Sequence, residues 1–208
     1  SSEAKILIMV RNPTDMAYSM YHQLKYEGKE LAETFEEALA LESERTKTGY
    51  QPPNANSSTI ARYTYICKVS PHIKAYLECF GEENVHVIVY DDFKQDTKDI
   101  YCQVLEFLGL DIYFPKKFGI RNSNKRSRFN AIHQISSNPP EILGTILNPF
   151  ISREIRWKIR DFIKGLNNVE EARQQMNADT RSQLNDMFSE DVKNLSEVLG
   201  RDLTGWSS

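Results

Sequence analysis

Ile6 to Val10 form an unbroken apolar run, Ile-Leu-Ile-Met-Val, that passes straight into Arg11, Asn12 and Pro13. Such a run, bounded by turn residues, predicts a strand covered on both faces of a parallel sheet. Pro13 suits the first position of a helix, predicted over about 14–26. Thr34-Phe35-Glu36-Glu37 has the pattern of a capping box and announces a second helix that runs to about Glu44. Residues 46–60 are polar and rich in Pro, Asn and Ser, and read as an exposed loop. One long helix is expected over about 61–80, stopped by Gly81. Val85 to Tyr90 reads as a second strand, and Asp96 as the start of a helix ending near Gly109. Residues 111–130 look irregular and basic. Further helices are predicted at about 139–147, 152–165, 178–188 and 190–199, with Ser189 as cap of the last. Leu184, Met187 and Phe188, then Val192, Leu195, Val198 and Leu199, fall at helical spacing. Trp206 is expected to lock the end of the chain onto the core. The fold class is α/β: a parallel sheet flanked by helices, with a mostly helical C-terminal part, in a single domain over 1–208.

Composition narrows the function classes. The 208 residues suffice for a sizeable core, 40% are hydrophobic and 26% charged, and the formal net charge is −3. A pI near 5.9 argues against general nucleic-acid affinity. No run approaches the ~18 apolar residues of a membrane span. Cys67, Cys79 and Cys102 fit no zinc spacing, so no metal site is expected. An odd count without a framework points to reduced, buried thiols and a cytoplasmic setting.

The candidate chemistry starts at Arg11. It follows a strand, at the end where open α/β sheets bind ligands. Ser19 falls about one and a half turns into the next helix. A guanidinium fork and a hydroxyl near a helix N-terminus form a cradle for an anion, phosphate first among them. The plainer alternatives are that Arg11 pairs with Asp15 or caps a helix, and that Ser19 is a surface hydroxyl. Phe118 to Arg128 gather four basic residues in eleven positions, which read as a phosphate-covering loop or as a solvated basic loop. Asp91 and Asp92 are expected to cap the next helix. His22, His72, His86 and His133 read as structural rather than catalytic, although His22 lies one turn past Ser19 on the same helical face.

The run ILIMVRNPTDMAYSMY resembles the 3′-phosphate-binding segment of sulfotransferases that use PAPS (3′-phosphoadenosine 5′-phosphosulfate). Further along, PHIKAYLECFGEENVHVIVYDDF is similar to the family's helix and strand, VLEFLGLD to its next short helix, and NADTRSQLNDMFSEDVKNLSEVLGRDLTGW to the C-terminal helices of bacterial and polyketide-associated members. The resemblance implies a P-loop-NTPase-like sheet, sulfuryl transfer from PAPS to an acceptor hydroxyl or amine, and Arg11 and Ser19 on the 3′-phosphate. Without that phosphate, Arg11 would be left buried and unpaired. In the family a basic loop closes over adenosine 3′,5′-bisphosphate, and Asn122, Ser123 and Lys125 match it. Tyr63 and Tyr65 stand where an aromatic often meets the adenine, with core packing the alternative. The family's glycine-rich phosphosulfate loop has no counterpart among the nine glycines. It and the catalytic base are expected upstream of Ser1, so these residues are read first as the later part of a longer protein, and otherwise as a non-catalytic relative that has lost its front end. Two other readings stay open: a non-catalytic module that binds the bisphosphate, and a P-loop small-molecule kinase relative, for which no Walker lysine is found. The partner is a small-molecule or carrier-bound acceptor, with the oligomeric state unassigned.

Overall fold

A computed structural model describes residues 4–53, 55–115, 118, 125–127, 155, 168–170 and 175–207. In chain order the elements are β1 (Ile6–Val10), α1 (Pro13–Tyr26), α2 (Phe35–Ala40), α3 (Glu42–Thr48), a 3-10 turn (Ser58–Ala61), α4 (Tyr63–Ile66), α5 (Ser70–Phe80), β2 (Val85–Val89), α6 (Tyr90–Gln95), α7 (Thr97–Phe107), β3 (Lys125–Ser127), β4 (Asn168–Glu170), α8 (Ala178–Leu199) and a 3-10 turn (Thr204–Ser207). They group into two compact units: Ser1–Ser19, Tyr63–Gly119 and Met176–Ser208; and Met20–Arg62 with Ile120–Gln175.

In the first unit β1 and β2 pair in parallel, with Ile6 opposite Val85 and Val10 opposite Val89. The expectation of a strand covered on both faces does not hold for β1. Its burial alternates, and Leu7 and Met9 are 42% and 48% exposed. A purely apolar strand can thus keep one face half open when no described element covers it.

The helix expected over 61–80 is broken into the Ser58–Ala61 turn, α4 and α5. Pro71 sits at the start of α5, where its missing N–H costs nothing. Asp191 of α8 accepts hydrogen bonds from the backbone of Val69 (2.9 Å) and Ser70 (3.2 Å) and from the Ser70 hydroxyl (2.6 Å). A long-range carboxylate therefore supplies the cap that the local sequence lacks. Conversely, the two helices expected over 178–199 are one. Ser189 does not cap; its hydroxyl donates to the carbonyl of Asp186, a bond a continuous helix tolerates. Asn177 caps α8 through Asp179 and Thr180, and Gly200 ends it at φ 60°. One face of α8 buries Leu184, Phe188, Val192 and Leu195. Each contributes about 1.5–3 kcal/mol of apolar burial.

In the second unit the Thr34–Glu37 capping box forms as expected. Its helix ends at Ala40, and α3 carries on to Thr48. The loop expected to be exposed over 46–60 buries Pro52 and Ala55. Antiparallel β3 and β4 pair Lys125 with Glu170. Cys67 is buried as expected, whereas Cys79 is exposed and Cys102 half-buried; no disulfide joins any of the three. Among the described residues no helix is long and apolar enough to cross a membrane. The helices expected at 139–147 and 152–165 lie outside the described residues, apart from Ile155.

Candidate functional site

The parallel register places the candidate site. Because Val10 is opposite Val89, the next residues, Arg11 and Tyr90, leave the sheet side by side at its carboxyl edge. The Arg11 guanidinium carbon lies 5.0 Å from the centroid of the Tyr90 ring. The Arg11 cation thus lies over the Tyr90 ring, whose face carries the negative end of its quadrupole.

Asn12 organises the turn. Its Oδ1 accepts from the backbone of Thr14 (2.9 Å) and Asp15 (3.4 Å), which makes it the cap of α1. Its Nδ2 donates to the carbonyl of Trp206 (3.0 Å). With those amides taken by Asn12, what α1 offers an anion is its dipole rather than its free N–H groups. Direct donors there are side chains.

Arg11 is one-third exposed, and its Nη2 lies 3.9 Å from Oδ2 of Asp15. It is therefore neither buried nor unpaired, contrary to expectation, and the Asp15 alternative is realised as a loose ion pair. The other Asp15 oxygen, Oδ1, accepts from Arg181 of α8 at 2.7 Å. Ser19 is half-buried on α1, one turn beyond Asp15 on the same face.

Asp91 and Asp92 lie in the first turn of α6 and do not cap the following helix, which Asp96 caps through Asp99 (2.9 Å). Instead Asp91 accepts from the Trp206 indole (2.8 Å), and Asp92 is held bidentately by Arg201. That bond from Arg201 holds the Asp92 carboxyl below its ordinary range, and Asp92 in turn raises Arg201. Trp206 thus fastens the chain end by hydrogen bonds at the strand tips. A cavity of about 210 Å³ beside β2 is lined by His86, Ile100 and Leu199 among others, and includes neither Arg11 nor Ser19.

Of the other expected site residues, Asn122 and Ser123 lie outside the described residues. Lys125 begins β3 in the second unit. Tyr63 is fully buried in α4, while Tyr65 is exposed. The sequence reading missed three contributors: Asn12, Tyr90 and Arg181. Asn before a helix-starting Pro was a legible cap signal. Nothing local announced Arg181.

The sulfotransferase domain family model matches residues 1–196. The chain is 25% identical over 142 residues to sulfotransferase 2A6 of Rattus norvegicus, covering 64% of this chain and 44% of that protein. It is 23% identical over 168 residues to sulfotransferase 2B1 of Homo sapiens, covering 76% and 40%. The chain thus spans less than half the length of these curated relatives. The crystal structure of a sulfotransferase from Alicyclobacillus acidocaldarius superposes with a TM-score of 0.63 at 25% identity, over 99% of this chain and 58% of that one. Arg11, Asp15, Ser19, Tyr90 and Arg181 all lie within a match that covers nearly the whole chain, and on that match the chain belongs to the sulfotransferase domain family.

Proposed function

We propose that this chain holds the nucleotide end of PAPS in a protein that transfers a sulfuryl group to an acceptor hydroxyl or amine. The observation that carries the reading is Arg11: a guanidinium at the carboxyl end of a parallel strand, over the Tyr90 ring and only loosely engaged by Asp15. These residues fit a phosphate. Arg11 would meet the 3′-phosphate through charge-assisted hydrogen bonds, Ser19 would add a hydroxyl donor from α1, and the α1 dipole would favour the negative charge. When bound, the cofactor supplies a sulfuryl group on a nucleotide leaving group. The residues here orient that nucleotide and set its identity. Because Arg11 is partly solvated, discrimination for the 3′-phosphate rests on bonds gained rather than on an orphaned buried charge.

The same reading includes a P-loop-like sheet, a single domain over 1–208, Asn122, Ser123 and Lys125 in the loop that covers the bisphosphate, a small-molecule or carrier-bound acceptor, and a cytoplasmic setting. Calorimetric titration of adenosine 3′,5′-bisphosphate and of adenosine 5′-monophosphate into the protein tests it. The expected result is binding at least tenfold tighter for the bisphosphate. Equal affinity for the two nucleotides would sink the reading.

A further inference from the structure

Asp15 is shared unequally by two arginines. Its Oδ1 lies 2.7 Å from Arg181, a full hydrogen-bonded ion pair, whereas its Oδ2 lies 3.9 Å from Arg11, outside hydrogen-bond reach. Among the described residues these are the ion pairs Asp15 makes. The arrangement is anchored below the surface. Thr14 donates from its hydroxyl to Oδ1 of Asn185 at 2.8 Å, both residues buried. Asn185 is one helical turn beyond Arg181 on α8, and Thr14 adjoins Asp15 on α1. The buried bond therefore fixes the register at which the Arg181 guanidinium meets Asp15.

This has an electrostatic consequence for Arg11. A carboxylate four residues along, on the same side of the α1 start, is the natural competitor of any anion for the Arg11 fork. It also repels an incoming phosphate. Committing one oxygen to Arg181 offsets the charge of Asp15 and keeps it from closing on Arg11. Tyr90 meanwhile meets Arg11 as a cation–π partner, its ring centroid 5.0 Å from the guanidinium carbon. We propose that Arg181 is a positioning residue: by holding Asp15, it keeps the donors of Arg11 free for the 3′-phosphate. This rests on the proposed role of Arg11 and adds to it a residue from a distant part of the chain.

A double-mutant cycle on the whole 208-residue chain tests the inference, read as affinity for adenosine 3′,5′-bisphosphate by calorimetry. Arg181→Ala is expected to weaken binding about two- to five-fold, the range of a solvent-exposed charge interaction. Arg181→Lys, which keeps the charge, should recover most of that loss. In an Asp15→Asn background the same Arg181→Ala change should have no effect, because the carboxylate it restrains is gone. A merely structural role for Arg181 predicts the same loss with or without Asp15, and that result overturns the inference. So does unchanged affinity in Arg181→Ala while the wild type binds tightly through Arg11. If instead the wild type binds no better than Arg11→Ala, the role of Arg11 itself is refuted, and the role of Arg181 falls with it.

Discussion

Two arginines separate scaffold from site. Arg45, on α3 in the second unit, has a side chain 7% exposed, and its partner Glu30 has a side chain 0% exposed. The two make a bidentate pair at 2.7 and 2.8 Å, Arg45 also donates to the carbonyl of Ala61, and Glu30 accepts from the backbone of Ala32. Arg11 has a side chain 33% exposed, its carboxylate stands off at 3.9 Å, and one aromatic face supports it. The same functional group is closed in one place and open in the other. A closed guanidinium ties together Glu30, Ala61 and α3 and is buried out of reach of a ligand. An open one contributes little to folding and can exchange its loose partner for an anion.

The largest expected effect comes from opening the closed pair. Arg45→Ala leaves Glu30 buried without its counter-charge and should destabilise the fold by about 3–5 kcal/mol, read as a shift in the urea unfolding midpoint. An unchanged midpoint would erase the contrast between the two arginines. Arg45→Lys keeps the charge but loses the planar fork. A smaller loss, about 1–3 kcal/mol, is expected by the same measurement. The exposed Asp92–Arg201 pair at the strand tips should behave like an open pair. Its carboxyl is held below the ordinary 3.8 by the bond from Arg201. A lowered carboxyl contributes stability that is present above the unfolded value and lost as pH falls through the folded one. Solvent screening keeps that contribution to a few tenths of a kcal/mol. The difference in melting temperature between wild type and Arg201→Ala should be small at neutral pH and should vanish well below pH 3.8. A large difference would move this pair into the closed class.

What was legible in the sequence followed local rules. The apolar run of β1, the Pro13 start of α1, the Thr34–Glu37 box and the Asp96 and Gly109 ends of α7 all depend on neighbours in the chain, and all appear where expected. Arg11 was legible as a strand-tip residue because the strand was. Several misreadings turn on contacts over more than a hundred residues. The break in the helix expected over 61–80 was legible at Pro71, but the Asp191 cap of α5 was not, because it comes from α8. Asp91 and Asp92 turn to Trp206 and Arg201 rather than to the following helix. Arg181 reaches Asp15 from α8. The face of β1 left half open could not be read from its sequence, because an apolar run does not say what lies over it.

The most direct test of the open arginine is a paired measurement on Arg11→Ala: affinity for adenosine 3′,5′-bisphosphate and the urea unfolding midpoint, each against wild type. The account predicts a loss of affinity of about ten- to a hundred-fold, the size of a charge-assisted hydrogen bond to phosphate. The unfolding free energy read from that midpoint should change by no more than about 0.5 kcal/mol, as for an ordinary surface substitution. A variant that binds as tightly as wild type, or one whose stability falls as far as that of Arg45→Ala, would contradict it.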